Sequence, residues 1–127
     1  KIKEQTKVII VDFHAEATAE KLALANYLDG KVSAVIGTHT HIQTADERIL
    51  ANGTGYITDS GMTGPYDSVI GMKTEAAINR FLYQTPQKYQ VASENNHLCG
   101  LFVKADIETG KTSEIERFII PEFDRSR

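Results

Sequence analysis

Two of the four histidines in this 127-residue chain stand one residue apart, in Gly37-Thr38-His39-Thr40-His41. Neutral imidazole is the commonest protein ligand for borderline transition metals. The pair directly follows the apolar run 32–36, which reads as a buried strand, so both rings fall where a rigid strand end can aim them at one pocket. His14 closes a second such run at 8–13. Metal ligation by His14, His39 and His41 is the chemistry these residue types and spacings suggest. The fourth histidine, His97, lies beside an Asn-rich turn and reads as a surface or internally satisfied side chain.

The elements that hold the three histidines read as one βαβ unit. Residues 8–13 are β-branched and continuous, as in a strand covered on both faces. Thr18 is a candidate N-cap, with Glu20 in the first turn, for a helix through Leu22, Ala25 and Leu28 that ends at Asp29-Gly30. The strand 32–36 follows. In open α/β sheets ligands gather beyond the carboxyl ends of the strands, and His14 and the His39/His41 pair both fall at that edge.

Beyond His41, short strands at 48–50 and 55–58 flank the hairpin signal Asn52-Gly53. Residues 59–72 carry Gly61, Gly64, Pro65 and Gly71, too much punctuation for regular structure, and predict a functional or interface loop. Thr74 is placed as the cap of a second helix that stops before Thr85-Pro86. Strands at 89–92, 98–107 and 113–120 then pair antiparallel across short turns. The fold class is therefore α/β: one βαβ unit followed by mostly antiparallel strands.

Composition bounds the partners. The length suits one domain, and a hydrophobic fraction of 41% with 24% charged residues is that of a globular chain. A net charge of −3 argues against a nucleic-acid polymer, while a single nucleotide is still compatible. No apolar run approaches the roughly 20 residues of a membrane helix, and no signal-peptide pattern is visible after Lys1, so a cytoplasmic location without membrane contact is the expectation. Cys99 is the only cysteine, which removes intrachain disulfides and thiolate-rich zinc sites. Partner ligands must be carboxylates or amides, and since a two-metal site needs carboxylates to bridge and neutralise its ions, Asp12, Glu16, Asp46 and Asp59 are the nearby candidates. His-x-His also occurs in amidohydrolase barrels, which need about 250 residues, and in cupins, which the βαβ unit disfavours.

Asp12-Phe13-His14-Ala15-Glu16-Ala17-Thr18, Glu20-Lys21-Leu22-Ala23-Leu24, residues 37–46, Tyr56-Ile57-Thr58-Asp59 and Gly61-Met62-Thr63-Gly64-Pro65-Tyr66-Asp67 together resemble the carboxyl-terminal half of the YmdB-type calcineurin-like metallophosphoesterases. The resemblance implies part of a four-layered α/β/β/α sandwich. It implies two divalent or trivalent metal ions, iron or manganese with zinc as a further option, His14 and His39 ligating one and His41 the other. The implied reaction is phosphodiester hydrolysis, with 2′,3′-cyclic nucleotides as substrates, and Thr40, Gly64 and Tyr66 are the substrate-contact candidates.

The family's amino-terminal motifs have no counterpart here: the aspartate opening the first strand, the bridging Glu with its Asn, and the Asn-His pair at the leaving group. Glu94-Asn95 and Asn96-His97 match two of these only as dipeptides, after the histidine motif and in a predicted turn. The chain thus reads as the carboxyl-terminal portion, residues 1–127, of a single metallophosphoesterase domain, inactive alone and prone to associate with the other half or with itself. The rival reading is a non-catalytic module that binds a metal or a partner at the same edge.

Overall fold

The computed structural model describes residues 2–124 and Ser126 and shows a mixed α/β chain. Its first half contains β1 (Ile10–His14), α1 (Thr18–Leu28), β2 (Ala34–Thr38), β3 (Arg48–Ile49) and β4 (Gly55–Ile57). These strands form one sheet in the order β1-β2-β4-β3, parallel from β1 to β4 with β3 antiparallel at the edge. Val11, Phe13, Val35 and Tyr56 point to one face, where Leu22, Ala25 and Leu28 of α1 pack on them. That alternation is the period-two geometry of strands, and it leaves Ile10, Asp12 and His14 on the opposite face.

The second half contains β5 (Gly64–Pro65), α2 (Thr74–Tyr83), β6 (Asn96–Ala105) and β7 (Thr112–Ile120). β5, β6 and β7 form an antiparallel sheet, and β7 lies against β3 and β4 on the face away from α1. Thr112 anchors the contact by donating its hydroxyl to the Ser33 carbonyl at 2.6 Å and its amide to the Gly53 carbonyl at 2.8 Å. The layers are therefore helix, sheet, sheet. α2 buries only Ala77 and leaves Ile78, Phe81 and Leu82 exposed. No helix among the described residues is long and apolar enough to cross a membrane.

Several sequence expectations change. β1 is an edge strand with Ile10 51% exposed, not a strand covered on both faces. Its apolar composition would suit a neighbour on the open side. Thr18 and Thr74 are the first helical residues, and the cap positions fall to Ala17 and Lys73, which make no side-chain cap bond. The strand expected at 89–92 reduces to a single bridge between Val91 and Met72. His97 is a buried residue of β6 rather than part of a turn, with Nδ1 2.6 Å from the Pro121 carbonyl and Nε2 2.9 Å from Asn95 Oδ1. Pairing with Gly64 of β5 places it there, a tertiary constraint that local turn signals do not carry.

Candidate metal centre

The carboxyl ends of β1 and β2 lie side by side, with His14 opposite Thr38 in the parallel register. This pairing brings His14 Nδ1 to 3.1 Å from Thr38 Oγ1. If Nδ1 carries the proton and donates to that hydroxyl, Nε2 presents its lone pair outward, the tautomer a metal-ligating imidazole needs. His39 Nδ1 stands 3.1 Å from that same Nε2, and the rings meet edge to face at 74°. His14, Thr38, His39, His41, Asp59, Gly61 and Met62 line one open cavity of about 210 Å³.

The backbone at the motif is strained. His39 has φ 137° and His41 φ 65°, both in the region L-residues rarely adopt. Such conformations cost about 1–3 kcal/mol each and persist only when the surroundings over-determine them. Asp59 supplies that constraint. Buried and only 1% exposed, it accepts the Thr40 amide on Oδ2 at 2.7 Å and the Gly61 amide on Oδ1 at 2.9 Å. Its counter-ion is Lys21 of α1, equally buried, with Nζ 3.5 Å from Oδ2. Asp59 thus fixes the amide between the two histidines.

A second acid pins the segment that carries Asp59. Asp46 accepts hydroxyl bonds from Thr44 and Thr58, each at 2.6 Å, the Thr58 amide at 3.1 Å and Arg48 at 3.3 Å. Thr44 Oγ1 in turn accepts the Asp59 amide at 2.9 Å. Burial pushes the Asp46 carboxyl up, but these hydrogen bonds together outweigh it and hold the group below its ordinary 3.8. Its folded value lies below its unfolded one, so its stabilisation is complete above about 3.8 and is lost as pH falls through the folded value. Thermal midpoints of wild type and Asp46→Asn, followed from about pH 6 to about pH 2, are expected to converge at the acid end. Parallel curves would mean that Asp46 titrates alike in both states.

The spacing of the donors suits a metal ion. With metal–nitrogen bonds of about 2.0–2.1 Å, two imidazole nitrogens on adjacent coordination positions lie about 2.9–3.4 Å apart. The 3.1 Å between His14 Nε2 and His39 Nδ1 falls in that interval. The number of donors is the shortfall. Among the described residues no group of three or more His, Cys, Asp or Glu side chains is placed to hold an ion. His41 lines the same cavity, Asp59 is committed to amides and Lys21, and Asp12 and Glu16 are exposed without lining the cavity.

The substrate-contact candidates separate. The Thr40 amide is held by Asp59 while its hydroxyl donates to the Ile42 carbonyl at 3.0 Å. Gly64 pairs with His97 in the second sheet, and neither it nor Tyr66 lines the histidine cavity. Tyr66 instead packs on His97 and Phe123, with its hydroxyl 2.9 Å from Cys99 Sγ and 3.2 Å from the Met62 carbonyl. Burial, reinforced by the buried thiol, pushes its phenol up to about 12 and keeps it neutral. Thr38 and Lys21 are the site residues the sequence reading missed. Thr38 was legible as the neighbour of His39; a helical lysine signals nothing of its burial.

Comparison with known proteins identifies the family. Residues 1–118 match the family model described as YmdB-like protein. This chain belongs to the YmdB-like family. One relative, the 2′,3′-cyclic-nucleotide 2′-phosphodiesterase of Bacillus subtilis (strain 168), is 54% identical over 117 residues, 92% of this chain and 44% of that protein. A putative phosphatase/phosphodiesterase of Mycoplasma pneumoniae is 41% identical over 97% of this chain and 44% of its own length. The crystal structure of a novel phosphatase from Mycoplasma pneumoniae superposes with TM-score 0.89 at 40% identity, covering 98% of this chain and 45% of that one. The chain therefore spans a little under half the length of the YmdB-like relatives it matches.

Proposed function

We propose that this chain is the histidine-bearing part of a metal-dependent phosphodiesterase acting on 2′,3′-cyclic nucleotides. The observation that carries the reading is the convergence of His14 Nε2 and His39 Nδ1 to 3.1 Å at the carboxyl ends of parallel strands, in a chain 54% identical to a phosphodiesterase of that substrate class. His14 and His39 would hold one ion and His41 a second, iron or manganese being the expected metals and zinc a further fit for imidazole. When bound, such a pair of ions supplies Lewis acidity toward the phosphoryl oxygens and lowers the pKa of water for in-line attack.

The chain's own residues do the positioning. Thr38 orients His14, and Asp59 with Lys21 beneath it holds the Thr40 amide so that His39 and His41 keep their unusual backbone. Too few donors lie among the described residues for two ions, so the bridging carboxylates come from a complementary half or from another copy of the chain. Exposed Ile10 beside Asp12 and His14 on the open face of β1 supports a partner there.

Elemental analysis tests this on untagged wild type and His39→Ala. The expected result is one ion or fewer per chain, with affinity lowered more than about tenfold in the variant, and negligible turnover of 2′,3′-cyclic AMP by the chain alone. Equal metal content in both would remove the histidines as ligands. Full turnover by the chain alone, abolished in His39→Ala, would show that the centre needs no outside donor.

A further inference from the structure

At the opposite end of the parallel strands is a second, unrelated cavity. It encloses about 130 Å³ where the turn before β1, the turn between α1 and β2, and the hairpin between β6 and β7 meet. Lys3, Lys7, Lys31 and Lys111 line it, with Gly30 and Gly110 between them. Four lysines around one small cavity stand out in a chain whose net charge is −3.

Among the described residues no ion pair compensates their charge. The ion pairs found among the described residues join Lys21 to Asp59, Arg48 to Asp46, Lys104 to Glu114 and Arg117 to Glu47, and use none of these four lysines. Two acids in the same turns, Asp29 and Asp106, are engaged elsewhere. Asp29 accepts the Asn52 amide at 2.9 Å, the Asn52 side chain at 3.0 Å and the Thr54 amide at 3.2 Å. Asp106 accepts the Glu108 and Thr109 amides and the Thr109 hydroxyl inside its own hairpin.

The turns themselves are closely fitted. Gly110 sits at φ 75°, and a Cβ there would lie 2.2 Å from the Lys7 carbonyl oxygen, so glycine is what lets the hairpin close on the segment before β1. Lys31 Nζ is held 4.1 Å above the Tyr27 ring, an orienting contact that leaves its charge available. The fold therefore gathers four exposed lysines around one cavity, and a bound anion would relieve their mutual repulsion.

We infer that this four-lysine cavity binds an oligophosphate, the ligand class whose several negative charges match four lysines gathered around one cavity. Lysine acts on phosphate as a point charge and needs no planar fork. The five-residue strands β1 and β2 separate the cavity from the histidine edge by about 16 Å, so the bound anion is not the substrate of the proposed hydrolysis. The inference stands independently of that reading.

Calorimetric titration of the 127-residue chain with inorganic triphosphate, free of divalent cations, tests it. Saturable binding is expected, weakening severalfold as salt rises from about 20 to about 200 mM. Lys31→Gln/Lys111→Gln is expected to bind about tenfold more weakly with its thermal midpoint kept. Lys73→Gln/Lys88→Gln, which removes the same charge away from the cavity, is expected to bind as wild type does. ATP binding no tighter than triphosphate assigns recognition to the phosphates alone, whereas adenosine binding as well as ATP would overturn the class. Absence of saturable binding, or equal losses in the two double variants, would also overturn the site.

Discussion

Asp59→Ala is expected to destabilise the chain by about 3–5 kcal/mol, the usual cost of removing one partner from a buried ion pair. The substitution strands the Lys21 ammonium, which is only 1% exposed, and leaves the Thr40 and Gly61 amides without their acceptor. A domain of this size is stable by about 5–15 kcal/mol in total, so the loss would consume much of it. Lys21→Met is expected to cost less, because Asp59 keeps both amide donors when the cation goes. Combining Asp59→Ala with Lys21→Met is expected to fall short of additivity by at least about 1 kcal/mol, since the stranded charge disappears with its partner. Urea denaturation of the three variants at constant m measures all of this. A single-variant loss under about 1 kcal/mol, or strict additivity, would mean that Asp59 is not what holds the loop.

How much of this was legible in the sequence depended on whether a feature is local. The β1-α1-β2 unit was readable because two apolar β-branched runs flank a helical stretch closed by Asp29-Gly30, and the observed ends differ by two residues or fewer. The meeting of His14 and His39 at one sheet edge was readable from the parallel order of strands. Their 3.1 Å approach was not, because it depends on register and on Thr38 turning the His14 ring. Lys21 shows the limit most plainly. A lysine in a helix signals nothing of its burial, and only the position of Asp59, 38 residues later, makes burial tolerable. His97 is the converse case, a residue read from its Asn-rich surroundings and placed instead by cross-strand pairing. The open face of β1 was legible in another sense: its composition asks for cover that residues 2–124 do not provide.

The second large effect is expected at Gly37, the glycine that opens the histidine motif. A Cβ there would lie 1.9 Å from the Thr58 carbonyl oxygen, 2.7 Å from its carbon and 2.9 Å from Lys21 Cδ. Overpacking ordinarily costs about 1–3 kcal/mol, and more where the obstacle cannot move. Here the obstacle is backbone at the end of β4, tied to β2 by the Ser60 amide donating to the Gly37 carbonyl at 2.9 Å. Gly37→Ala is therefore expected to cost at least about 3 kcal/mol, and to part His14 from His39 because Thr38 and His39 follow directly in the chain. Gly55→Ala is the matched control. Its Cβ would meet only side chains, Ile115 Cδ1 at 3.2 Å and Thr112 Cγ2 at 3.3 Å, which can shift by a few tenths of an ångström. Its cost is expected to stay under about 1.5 kcal/mol. Denaturation midpoints compare the two, and histidine ring NMR shifts report whether the His14–His39 contact survives. Equal losses, with the ring signals unchanged in Gly37→Ala, would mean that β4 yields easily and that the absent side chain at position 37 is not what sets the histidine geometry.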